Sequence, residues 1–122
     1  LGAAHATANP LTAHYDIAHG QAVGLMLPAV IRMNGAKHAI WYRELMSEIE
    51  PDVATQDAPG QLADLVQSML KQAGLATTLA ELAVPDDKIG ELSDDAIKQW
   101  TGTFNPIPLD RDRAQSLYFA VR

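Results

Sequence analysis

Three of the four histidines stand within the first nineteen residues, at His5, His14 and His19. Neutral imidazole binds iron(II), zinc and related ions, so this cluster is where chemistry is first sought. Spacing then separates the pairs. On one straight helix His5 and His19 would lie ~320° apart in azimuth and ~21 Å apart along the axis, too far to share an ion. Pro10 disfavours helix at Asn9, however, and Asp16 and Gly20 carry turn chemistry. The sequence therefore allows a chain that folds back between them and brings His5 to His19. His14 and His19 share no helical face and make the poorer pair. Two imidazoles are only part of the four or more ligands such ions take. Asp16 is near in sequence but suits a turn or a cap equally well. Scattered histidines also serve as plain surface or packed residues, and from spacing alone that reading stays open.

Other chemistries have less to stand on. The chain has no cysteine, which excludes disulfides and thiolate nucleophiles. Ser47, Ser68, Ser93 and Ser116 lack a nucleophile-elbow setting, and no glycine-rich loop follows a strand. Asp86-Asp87 and Asp94-Asp95 fall at predicted helix starts, where the macrodipole favours acid. Tyr15, Trp41, Trp100, Tyr118 and the methionines read as core or interface. A net charge of −6 without a basic stripe argues against a nucleic-acid partner. No apolar run reaches the ~18 residues a membrane helix needs. The absence of cysteine and of a signal pattern gives a cytoplasmic expectation.

The elements that must position these histidines are helices. No segment alternates as a strand does, and 122 residues suffice for one domain. Leu62, Leu65, Val66, Met69, Leu70 and Ala73 form one helical stripe, with Pro59 in its first turn and Gly74 at its stop. Thr78 and Glu81 have capping-box spacing, and Ser93 is placed to cap a helix that turns Ile97 and Trp100 inward. Asp110 precedes Ala114, Leu117, Tyr118 and Val121, again one face. A helix over 37–48 carries Ile40, Trp41 and Leu45 on one side. Ala22 to Ile31 is apolar all round apart from Gly24, which predicts a buried helix, with Pro28 expected to kink it. The chain opens Leu1-Gly2-Ala3-Ala4, without Met or a polar lead-in, and this reads as a cut through something apolar. The expectation is an all-α, irregular multi-helix bundle, one partial domain over 1–122.

The stretch LGAAHATANPLTAHYDIAHGQAVGLMLPAVIRMN resembles the signature of the iron-containing alcohol dehydrogenases. The resemblance rests on His5, Pro10-Leu11, His19-Gly20, Leu27-Pro28 and Asn34, and on the tail from Lys98-Gln99-Trp100 to Asn105-Pro106. It implies the C-terminal part of a dehydroquinate synthase-like helical domain. By motif position His5 and His19 match the last two histidine ligands of a metal, usually Fe(II) and sometimes Zn(II). An Asp and another His upstream complete the family's set. The resemblance also implies NAD or NADP bound by an N-terminal domain outside these residues, and a small alcohol, aldehyde or ketone as substrate. Many members carry a second His where this chain has Asn9. An amide does not titrate near neutral pH, so a proton relay at that position is in doubt. Asn9 and His14 are expected beside substrate or cofactor.

Three readings follow. The chain is the C-terminal piece of such a dehydrogenase, inactive alone. Or it is a stand-alone helical interaction or oligomerisation module with vestigial histidines. Or it is a small metal binder completed by dimerisation.

Overall fold

The computed structural model describes all residues, Leu1–Arg122. It contains five α-helices and no strand: α1 Ala3–Tyr15, α2 His19–Met46, α3 Ala58–Gln72, α4 Ile89–Ala96 and α5 Arg111–Phe119. Short 3-10 turns lie at Ala80–Leu82, Asp86–Lys88 and Trp100–Phe104. The all-α architecture read from periodicity is the one that forms. No helix is long and apolar enough to cross a membrane.

α1 is the helix the others pack around. Ala3, Ala4, Ala6 and Ala8 are buried along it, with Thr7, Pro10 and Leu11. It touches α2, α4, α5 and the Trp100–Phe104 turn. Methyl-sized side chains let those neighbours come close. A Cβ added at Gly102 would stand 3.4 Å from the Ala6 methyl. The buried Thr7 hydroxyl on α1 donates to the Ala3 carbonyl at 2.7 Å, whereas the buried Thr12 hydroxyl has no partner. From the other end of the chain, the buried Tyr118 hydroxyl donates to the Thr7 carbonyl at 2.7 Å, tying α5 to α1. Burial holds that phenol well above its ordinary pKa, so it remains a donor.

Two prolines behave differently from the expectation. Pro10 does not end α1, which runs through it to Tyr15, and the reversal comes later, at Asp16–Ala18. Asp16 takes the left-handed conformation (φ 54°), and its N–H donates to the Thr12 carbonyl at 3.1 Å. Gly20 lies inside the first turn of α2, not in the reversal. Pro28 likewise leaves α2 continuous. The dihedrals depart from helix only at His38 (φ −125°, ψ 34°), so the two predicted helices over 22–31 and 37–48 are one kinked element. Both prolines are buried, and core packing offsets the hydrogen bond each removes.

α3 lies on α2, and the two helices meet at glycines. A Cβ on Gly24 would come within 2.8 Å of Leu70, and one on Gly35 would overlap Pro59. Pro59 sits in the first turn and Gly74 terminates the helix at φ 70°, as expected. The α3 stripe is only half-covered, however, with Met69 exposed. Ser93 is also not a cap. It lies inside α4, donates to the Ile89 carbonyl, and Ile97 and Trp100 point outward at 43% and 65% exposure. A buried serine can satisfy its hydroxyl within the helix, and here that option wins over capping. Thr78 does cap, but a 3-10 turn, while Glu81 reaches back to the Thr77 N–H rather than to that of Thr78. Asp110, just ahead of the predicted stripe, caps α5 by accepting from the Arg113 N–H at 2.8 Å.

Tyr118→Phe removes one buried hydrogen bond without opening a cavity. It is expected to lower unfolding free energy by about 0.5–1.5 kcal/mol in urea titration. An unchanged midpoint would show that the α5–α1 tie contributes nothing.

Candidate metal centre

His5 and His19 are brought together. His5 lies in the first turn of α1, and His19 is the first residue of α2. Their rings stand 5.5 Å apart between centroids, inclined at 50°. The late reversal at Asp16 achieves this without a break at Pro10. His5 is half-buried and His19 exposed. The His5 pKa is lowered, first by burial, then by the N-terminal ammonium, then by His19. The neutral imidazole so favoured is the form that binds metals.

The donor set ends there. No group of three or more His, Asp or Glu side chains gathers anywhere in the chain in a metal-holding arrangement. Asp16 is exposed and its backbone makes the reversal, which is the turn role its type allowed. Two convergent imidazoles suit Fe(II) or Zn(II) in kind and fall short in number. The chain fits one side of such a centre.

Beside His5 opens an apolar recess of about 480 Å³. Val23, Leu27, Val30 and Ile31 of α2 line it, and Asn34 and Asn105 lie at its polar edge. The α2 residues recur at helical spacing, so the recess follows one face of that helix, with Val30 and Ile31 buried and Val23 and Leu27 half-buried.

Asn9 follows His5 by four residues, on the same side of α1. Its Nδ2 donates to Gln99 Oε1 at 2.9 Å, fastening α1 to the segment after α4. His14 does not line the recess. Its Nε2 stands 2.8 Å from Asp95 Oδ2, and Asp95 Oδ1 accepts from Lys98 Nζ at 2.8 Å. Sequence reasoning missed Gln99 and the Asp95 partnership with His14, because nothing in spacing announces contacts across 90 or 81 residues. The Asp95–Lys98 pair was within its reach as an i,i+3 contact.

Comparison with known proteins gives the chain's relatives. Residues 1–121 match the family model described as "Fe-containing alcohol dehydrogenase family, C-terminal". The chain is 27% identical to an NADPH-dependent butanol dehydrogenase of Clostridium saccharobutylicum, over 99% of its own length and 32% of that protein's. A solved structure of a 1,3-propanediol oxidoreductase superposes with a TM-score of 0.90 at 25% identity, covering 100% of this chain and 33% of that one. An alcohol dehydrogenase from Oenococcus oeni superposes with a TM-score of 0.92 at 21% identity, again over 33% of its chain. The chain thus spans about a third of the proteins it matches.

The His14–Asp95–Lys98 group gives a pH prediction. The Asp95 carboxyl is held below its ordinary 3.8, first by the Lys98 hydrogen bond, then by that from His14. A depressed carboxylate stabilises the fold fully above the ordinary value and ceases to do so as pH falls through the lower, folded one. Thermal unfolding from about pH 5 down to about pH 2 is expected to show a flatter acid limb for Asp95→Asn. Its loss at neutral pH should stay under about 1 kcal/mol, because the site is partly exposed. Superimposable acid limbs for both proteins would refute the assignment.

Proposed function

The chain belongs to the Fe-containing alcohol dehydrogenase family, whose C-terminal part it matches, and from this we propose that it is the metal-holding helical portion of an iron-dependent, NAD(P)-linked alcohol dehydrogenase. The observation that carries the proposal is the His5–His19 pair, two imidazoles converging at 5.5 Å with no third donor near. His5 and His19 would hold the metal from one side, Fe(II) first and Zn(II) next, with the remaining ligands coming from outside these 122 residues. The nicotinamide cofactor is bound mainly there too. The chemistry these groups supply when bound is Lewis-acid polarisation of an alcohol or carbonyl oxygen, and hydride exchange with the carbon beside it.

The chain's own residues do the positioning. α1 and α2 present the two imidazoles from helix starts, and such rigid mounts hold ligand geometry better than loops. Burial lowers the His5 pKa and so favours the neutral ring that coordinates. The Val23–Leu27–Ile31 face is where the rest of the enzyme packs and water is shut out of the site. Asn9, fastened to Gln99, orients by hydrogen bonding whatever lies beside it and carries no proton near neutral pH. His14 keeps a structural part at the α1–α4 junction. The substrate is a small alcohol, aldehyde or ketone.

Anaerobic calorimetry of the purified chain with Fe(II) and with Zn(II) tests this. Weak binding is expected, and His5→Ala or His19→Ala should each weaken it by more than the ~10–100-fold that loss of an outer-shell partner costs. Binding that survives both substitutions would sink the ligand assignment. Turnover of NAD(P)H by the 122 residues alone would contradict the division of labour.

A further inference from the structure

A reciprocal amide pair joins three elements directly behind His5. Asn105, in the segment after the Trp100–Phe104 turn, donates from Nδ2 to Asn34 Oδ1 at 2.9 Å and to the Ile107 carbonyl at 2.7 Å. Asn34 Nδ2 donates back to Asn105 Oδ1 at 3.2 Å. That same Oδ1 accepts the N–H of Ala3 at 3.2 Å. Ala3 is the first residue of α1, and its N–H has no carbonyl within the helix to use. Asn105 therefore supplies the missing partner for α1 from a position 102 residues away. Gly2 makes room for it. A Cβ at Gly2 would sit 3.2 Å from Asn105 Oδ1, on a backbone at φ 145° that side chains rarely adopt.

We propose that Asn105, held by Asn34, is a positioning residue for His5: it sets the start of α1, and with it the direction from which the His5 ring meets His19. The inference rests on the metal-holding role given to those histidines. Asn34 is itself almost wholly buried on α2, the helix that begins with His19. The pair thus references the start of α1 to the helix that carries the second ring. Without it, the four free N–H groups of the first α1 turn have no fixed anchor, and that turn, with His5 in it, is free to fray. A stability role alone would make Asn105 equivalent to any other buried contact. A positioning role makes it matter more for the imidazole pair than for the fold.

The test compares the wild-type chain, Asn105→Ala, Gly2→Ala and Val53→Ala. Val53 belongs to a separate small core cluster with Met46 and Ala58, so its loss lowers stability without touching the amide pair. Two readouts are taken well below each midpoint. One is the ring-to-ring proton NOE between His5 and His19 in the metal-free chain. The other is Zn(II) affinity by calorimetry. Asn105→Ala and Gly2→Ala are expected to lose the NOE and to bind Zn(II) about tenfold or more weaker, while Val53→Ala keeps both. If Asn105→Ala does not fold, Gly2→Ala carries the same comparison. An NOE and affinity retained to within about twofold in the folded variants, or lost equally in Val53→Ala, would overturn the proposal. The two readouts separate the claims. Zn(II) binding that is indifferent to His5→Ala and His19→Ala refutes the metal reading, and the metal-free NOE still decides whether Asn105 positions the ring.

Discussion

The structure depends on how little side chain α1 carries where its neighbours press on it. Four alanines, a threonine, a proline and a leucine make up its buried surface. Because most of these are small, α2, α4, α5 and the Trp100–Phe104 turn can all approach one thin axis. A larger residue at Ala3, Ala6 or Ala8, all fully buried, would have to displace one of those partners rather than fill a space. His5 stands in the middle of this set, between Ala4 and Ala6. His5 is thus mounted on a helix held by four other elements.

That mounting sets His5 beside an open recess. Behind His5, the amide of Asn105 and the hydroxyl of Tyr118 fasten α1 from distant parts of the sequence. The apolar recess beside His5 runs along α2, where Val23 and Leu27 are half-buried, and the same Asn105 stands at its edge. A similar openness recurs along the second half of α2 and on α3, where Ile40, Trp41, Leu45 and Met69 are exposed. Exposed apolar stripes of this kind are surfaces that a further segment or partner can cover. Relatives three times as long have more chain with which to cover them.

Much of this was legible in the residues, because periodicity reports burial directly. The α3 and α5 helices and the Gly74 stop follow from local rules, and each formed. The convergence of His5 and His19 was also legible, and Asp16 makes the turn its type suggests, whereas Pro10 does not break the helix and Gly20 lies inside α2. Proline rules describe what a lone helix tolerates, whereas Pro10 and Pro28 sit in a core whose packing outweighs one lost hydrogen bond. The outward turn of Ile97 and Trp100 was missed for a related reason. An apolar residue at helical spacing marks a face, and the sequence does not say whether that face has a partner within the chain. Contacts such as Asn9–Gln99 and Asn34–Asn105 span 90 and 71 residues, and nothing in local spacing encodes them.

If His5 and His19 hold a metal as proposed, the chain supplies two imidazoles to it and no more. X-ray absorption at the zinc edge of the loaded wild-type chain counts them. The account predicts two imidazole nitrogens per zinc, with oxygen filling the rest of the shell. Three imidazoles, or four from paired chains, would contradict it and make these 122 residues a complete metal site by themselves or as a dimer.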